Sequence, residues 1–315
     1  ILRQVEKECG WMYETRHDDG KKGKINYVIW SDVFVCPECA SEIVFWENAV
    51  DIEDGKVLEQ FQCPKCTASL SKRNVERSGS TSFDSLIGEA VTQAKQVPVR
   101  ISYTVGGKRF DKVPDAEDLR LIQTIDSKGA DNTLNPKRIP VGDKTGEPIR
   151  IGLTYVHHLY TLRNYNALAK FRSLSKSSKF WFVLSAVAFR ITKRYGLTYQ
   201  SGSWGAGGGP TNGTHYIPSL IKELNIIRML GVAVNKRQSL DSRAFEACIA
   251  SQSASKFEVC DNSLDYIFID PPFGSNLNYS ELNLVWETWL NVFTNNEEEA
   301  VENKTQKKVC LNIAR

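Results

Sequence analysis

Two groups of residues in this chain have types and spacing that could do chemistry. The first is four cysteines in two tight pairs, Cys36-Pro37-Glu38-Cys39 and Cys63-Pro64-Lys65-Cys66. A two-residue gap lets both thiolates of a pair face one ion while amides of the turn support the sulfurs, and two pairs complete a tetrahedral zinc site. With all four positions filled by protein, such a site is structural and leaves no place for a substrate. A pair of redox-active dithiols is the competing reading of the same spacing. The second group is Asp270-Pro271-Pro272-Phe273. Consecutive prolines fix φ and remove N–H donors, leaving a rigid loop that only accepts hydrogen bonds. The Asp270 carboxylate and the Pro271 carbonyl could take both hydrogens of an exocyclic amine, freeing its nitrogen lone pair for an electrophile. Phe273 offers a ring face on which a flipped-out base could stack.

These groups need elements to hold them. Leu264 to Ile269 is apolar or aromatic except for Asp265, which predicts a strand covered on both faces of a parallel sheet. Asp270 then stands at the carboxyl end of that strand, where open α/β sheets bind ligands. Around the cysteines, Ile25 to Val35, Glu42 to Trp46 and Val57 to Gln62 predict short hairpin strands. The spacer of 23 residues between Cys39 and Cys63 accommodates an extra turn at Asp54-Gly55. The whole predicts a zinc ribbon.

Elsewhere, Ile1 to Trp11 reads as the middle of an amphipathic helix, so the chain is expected to be an interior fragment. Helices are predicted over Phe83 to Gln96 and Pro114 to Ile125, and a hairpin over Val97 to Phe110 around Gly106-Gly107. Asp126 to Pro148 reads as an irregular connection. Phe180 to Phe189 is the longest apolar stretch, about half of the roughly 20 residues a membrane span needs. It predicts a buried core helix in a cytoplasmic protein. The cluster Gly202-Ser203-Trp204-Gly205-Ala206-Gly207-Gly208-Gly209-Pro210 is expected to be a flexible loop, with a cofactor turn as the alternative. His157 and His158 are adjacent and should point apart, and His17 and His215 lack ligand-type partners at metal spacing. All four read as ordinary polar or core residues, and Cys9, Cys248, Cys260 and Cys310 as ordinary thiols.

The net charge of +3, with 41% hydrophobic and 24% charged residues, describes an ordinary globular chain. Its distribution is uneven. From Pro148 through Lys222 there is no acid, while the span holds ten cations, among them Arg163, Lys170, Arg172, Lys176 and Lys179. A local positive field of this kind predicts contact with a phosphate backbone, and these five residues are the candidates. The opposing reading makes them solvated helix faces balanced by acids elsewhere, such as Glu297, Glu298, Glu299 and Glu302.

The residues Asp270-Pro271-Pro272-Phe273 match the catalytic Asp/Asn/Ser-Pro-Pro-aromatic motif of S-adenosylmethionine-dependent amino-methyltransferases. The continuation Gly274 to Leu282, with Tyr279-Ser280-Glu281-Leu282 and a Trp-rich helix over Glu281 to Phe293, resembles one branch of them. These are the adenine-specific DNA methylases of bacteria and archaea that carry a zinc ribbon. Tyr160-Thr161-Leu162-Arg163-Asn164 is similar to a segment of the same branch. The resemblance implies a Rossmann-like α/β methyltransferase sheet, incomplete here, with an inserted four-cysteine zinc ribbon. It implies S-adenosylmethionine as cofactor, structural zinc, DNA as partner, and catalysis at Asp270, Pro271, Pro272 and Phe273. It also implies that the glycine-rich cofactor motif lies upstream of Ile1. On this basis residues 1–23 are a helix of the methyltransferase core and 24–75 the ribbon. Residues 76–147 are a hairpin and helix insertion, and 148–315 the catalytic region. Cytosine N4 methylation, RNA methylation and a non-catalytic nucleic-acid-binding module stay open beside adenine N6.

Overall fold

The structure is a computed structural model and describes residues 1–238, 259–270, 277–294 and 301–306. Its axis is a strand of 14 residues, β1 (Lys22–Val35). Two hairpins follow the two Cys-Pro-x-Cys segments: β2 (Gly79–Asp84) with β3 (Glu89–Ala94), and β4 (Gln96–Val105) with β5 (Lys108–Lys112). Later come β6 (Tyr195–Gln200), β7 (Ser203–Pro210) and β8 (Leu220–Leu224). The main sheet runs in the order β5-β4-β1-β8-β6-β7. Every strand pair among the described residues is antiparallel, whereas a Rossmann-like core is built on parallel strands. The chain is thus mixed α/β with an antiparallel sheet.

Side chains of β1 alternate between two cores, as a period of two requires. Val28 joins the helical side, where α1 (Leu2–Cys9), α3 (Leu162–Leu174), α4 (Ser178–Ala188) and α5 (Ile226–Gln238) pack around Ile101, Tyr103 and Ile221. Tyr27 and Ile29 join the opposite side, with Phe45, Trp46, Phe61, Leu70 and Trp204. No helix among the described residues is long and apolar enough to cross a membrane. In α4, Val183, Leu184, Val187 and Ala188 are buried but Phe182 is exposed, so the predicted core helix is covered on one face only.

Several local expectations hold. Gly106 and Gly107 sit at φ +55° and +81°, the turn that joins β4 to β5 with the right twist. The helix expected after Pro114 is α2 (Ala116–Lys128), capped when Asp115 accepts from the amides of Glu117 and Asp118 while Asp118 accepts from that of Asp115.

Other expectations are overturned. Phe83 to Gln96 is no helix; it spans the β2–β3 turn and β3. The Asp84 carboxylate accepts from the Leu86 amide and its carbonyl from that of Gly88, forcing a reversal after Asp84. The glycine cluster is not a loop but β7, paired with β6. Gly205, at φ +80°, lies so close to Tyr27 that a Cβ would stand 2.7 Å from its hydroxyl, so the glycine serves strand packing. Leu264 to Ile269 is not a buried strand. It pairs with no strand among the described residues, and Tyr266 and Phe268 are 80% and 79% exposed. An apolar run becomes a strand only where a neighbour's free backbone groups pair with it. The Trp-rich segment breaks at Asn283 into a turn of helix, Tyr279–Leu282, and α6 (Leu284–Leu290).

Candidate functional site

The four paired cysteines converge. β1 leaves the sheet at Val35 and delivers Cys36 directly, and the two Cys-Pro-x-Cys segments then fold alike. The Cys36 amide donates to the Ser41 carbonyl and the Ala40 amide to the Cys36 carbonyl; Cys63 with Ala68 and Thr67 repeats the pattern. Ala40 and Thr67 occupy equivalent left-handed positions, φ +54° and +59°. The result brings Cys36 Sγ within 3.6 Å of Cys66 Sγ and Cys39 Sγ within 3.7 Å of Cys63 Sγ. A tetrahedron with zinc–sulfur arms of about 2.3 Å has edges of about 3.8 Å, so the spacing fits the ion. The Ser41 hydroxyl lies 3.0 Å from Cys39 Sγ and 3.5 Å from Cys63 Sγ. That contact, with the amides of Cys66 and Lys65, pulls the Cys63 thiol down to about 6 and favours the thiolate a metal needs. The cluster is held from behind by the edge-on rings of Phe34, Phe45 and Phe61, with centroids 5.5 and 5.8 Å apart. Four cysteines therefore form a site fit for structural zinc.

The second predicted group is placed only in part. Asp270 is exposed, at the end of the unpaired segment, while Pro271, Pro272 and Phe273 lie outside the described residues. Downstream, the Tyr-x-Glu-Leu segment is well anchored. Glu281 is 1% exposed and accepts from the amides of Asp143 and Lys144, at 3.2 and 2.7 Å, and from the Asn303 side chain. Trp289 in α6 donates its indole N–H to the Tyr160 hydroxyl at 2.8 Å, their rings meeting edge-on. The two segments that share a resemblance therefore touch each other.

The five cationic candidates divide. Arg163 is corrected from surface contact to core: it is 3% exposed and paired with Glu223. The first acid after the acid-free span thus neutralises a cation inside it, which composition by segment could not reveal. Lys170 pairs with Glu8 at 2.5 Å and stays partly exposed. Arg172 donates to the Trp289 carbonyl and lies over the Trp181 ring. Lys176 is exposed, and the side chain of Lys179 lies outside the described residues.

No family model, curated protein or solved structure matches this chain.

One cluster escapes a reading of the sequence. His157 and His158, expected to point apart, both reach Asp84 Oδ2 at 2.7 Å. Asp84, His157 and His158 are of metal-ligating types, yet their geometry is that of hydrogen bonds. His158 Nδ1 accepts from the amides of Thr154 and Tyr155, which puts its proton on Nε2, facing the carboxylate. A metal at Nε2 would require the opposite tautomer and set Nδ1–H against two N–H groups. Burial pushes His158 down to about 4 and lowers His157, so both are neutral donors. Burial works against the Asp84 charge, but the two imidazoles hold its carboxyl below the usual range. The arrangement ties the β2–β3 hairpin to the core. No sequence signal marks it, because the partners stand 73 and 74 residues apart.

Proposed function

We propose that this chain is a zinc-bearing catalytic region of an S-adenosylmethionine-dependent amino-methyltransferase acting on DNA, with adenine N6 as the acceptor. The observation that carries the reading is the presence in one chain of a four-cysteine cluster of zinc dimensions and the Asp270-Pro271-Pro272-Phe273 loop with its anchored Tyr279–Leu282 continuation. In this reading Asp270 and the Pro271 carbonyl accept the two N–H bonds of the base while Phe273 stacks on it. The nitrogen lone pair freed in this way would attack the bound methyl donor, whose C–S bonding electrons would stay on sulfur, and the proton released from the nitrogen would pass to solvent. The cofactor supplies the electrophilic methyl group. A Rossmann-like core belongs to this proposal, with the antiparallel sheet of β1 and its neighbours flanking it.

A non-catalytic nucleic-acid-binding module is the second reading, and one observation favours it: among the described residues, Leu264 to Asp270 joins no sheet. Methyl-labelled S-adenosylmethionine, offered with unmethylated duplex DNA and in parallel with RNA, separates the two. The proposal expects label in N6-methyladenine after digestion of the DNA. Label in cytosine or RNA would redirect it to the other acceptors, and zinc-dependent DNA binding without transfer, in protein that binds S-adenosylmethionine, would establish the second reading.

A further inference from the structure

A cavity of about 390 Å³ opens where the β2–β3 hairpin, the end of α2 and residues 157–162 meet, and Lys193 lines it. Its volume falls within the roughly 300–1,000 Å³ that small-ligand sites occupy. Lys193 is half-buried, and its backbone amide is pinned by the Leu159 carbonyl at 2.7 Å. Among the described residues, its ammonium has no carboxylate within ion-pair distance and no hydrogen-bond acceptor.

That sets it apart from the other buried or part-buried cations of the same span. Arg163 has Glu223, Lys170 has Glu8, and Arg172, Arg194 and Lys222 each have backbone carbonyls. The acids whose fields reach Lys193 are Glu223 from β8, Asp126 from α2 and Asp32 from β1. Glu223 is held by Arg163 and Asp32 by Arg77. His157 and His158, facing it from residues 156–159, are neutral, and Asp84 is satisfied by them. Asp126 alone carries no ion pair, and burial raises its carboxyl. The Lys95 ammonium, on the same cavity, is taken by Glu42.

We propose that this cavity binds a small organic anion whose phosphate or carboxylate pairs with the Lys193 ammonium. The rest of the wall suits a ring-bearing, hydrogen-bonding body. Ser80, Ser82 and Gln93 offer polar groups there, and Trp30, its indole N–H taken by Glu223 at 2.7 Å, contributes apolar surface. Burial draws Lys193 down to about 8, so the ammonium is mostly charged at neutral pH and is lost above it. An anion fixes the charge, and its affinity must fall as the pH rises through that value.

The test uses the full chain and calorimetry with three probes: adenosine 5′-monophosphate, benzoate and uncharged adenosine. At pH 7 at least one anion should bind at least tenfold more tightly than adenosine, and the affinity should drop severalfold by pH 9.5. Benzoate alone would identify the partner as a carboxylate, the nucleotide alone as a phosphate. Lys193→Met should weaken binding at least tenfold, Lys193→Arg should retain most of it, and Lys108→Met, at an exposed cation away from the cavity, should leave it unchanged, all with wild-type zinc content and circular dichroism. Failure of both anions to bind the wild-type protein, or equal binding to Lys193→Met, would overturn the assignment and leave Lys193 as a water-separated partner of Asp126.

Discussion

Arg163 and Glu223 close a two-pronged ion pair inside the core, Nε on one carboxylate oxygen at 2.7 Å and Nη2 on the other at 2.5 Å, with both side chains at most 4% exposed. The Arg163 fork also reaches the Met12 carbonyl and so joins α3 and β8 to the chain leaving α1. Removing one member leaves the other charged and buried. Arg163→Ala should therefore cost about 3–5 kcal/mol in urea unfolding. Arg163→Lys should lose a large part of the same stability, because an ammonium cannot span both oxygens. Neither change should alter the salt dependence of DNA binding in protein that remains folded.

The cysteine cluster predicts one zinc per chain by elemental analysis. Cys63→Ser should abolish that stoichiometry, and chelation should loosen the ribbon, with increased proteolysis between residues 36 and 75. The helical core around α3 and α4 rests on a separate set of side chains and should keep its helical circular dichroism. A protein that folds with four reduced cysteines and no metal would contradict the assignment.

Stability should begin to fall on acidification above the ordinary carboxylate range. His158 and His215 are both held neutral, near 4, by burial, and Arg194 adds to the effect at His215. In the unfolded chain they titrate near 6.5, so between about 6.5 and 4 the unfolded state binds the extra protons. Their contribution is therefore complete above about pH 6.5 and is lost as the pH falls towards 4. Each is worth roughly 3–4 kcal/mol at full extent. Asp84, held low, adds a further loss only below its ordinary range near 3.8. Urea midpoints between pH 7 and 4 should show this slope, and His158→Gln should flatten it.

Trp289 and Tyr160 make a further test. The Tyr160 hydroxyl accepts from the Trp289 indole and donates to the Ala188 carbonyl at 3.0 Å. Tyr160→Phe leaves both unsatisfied in a dry environment and should cost about 1–3 kcal/mol. Trp289→Ala, which empties a fully buried site, should cost about 3–5 kcal/mol. Thermal unfolding of the two variants checks the order.

What could be read from the residues was local. The Gly106-Gly107 turn, the helix after Pro114 and the Cys-Pro-x-Cys knuckles each fold by contacts within a few positions, and each is where the sequence places it. The β2–β3 hairpin reads as helix because its reversal hangs on one Asp84 side chain, and the same carboxylate is fastened by two histidines far along the chain. Arg163 reads as surface because Glu223 is 60 residues away. The Leu264 to Ile269 run shows the converse: its pattern is that of a buried strand, but burial depends on partners that the pattern does not contain. For Asp270-Pro271-Pro272-Phe273 the residue types suggest an acceptor chemistry, but of the four only Asp270 lies within the described residues.

The most direct measurement is transfer of labelled methyl groups from S-adenosylmethionine to unmethylated DNA by this chain and by Asp270→Ala, with zinc content and melting temperature recorded for both. The account predicts label in N6-methyladenine with the wild-type chain and its loss, by at least a thousandfold, in a variant of unchanged zinc content and stability. Equal transfer by the two proteins, or none from a folded, zinc-loaded protein that binds S-adenosylmethionine, would contradict it.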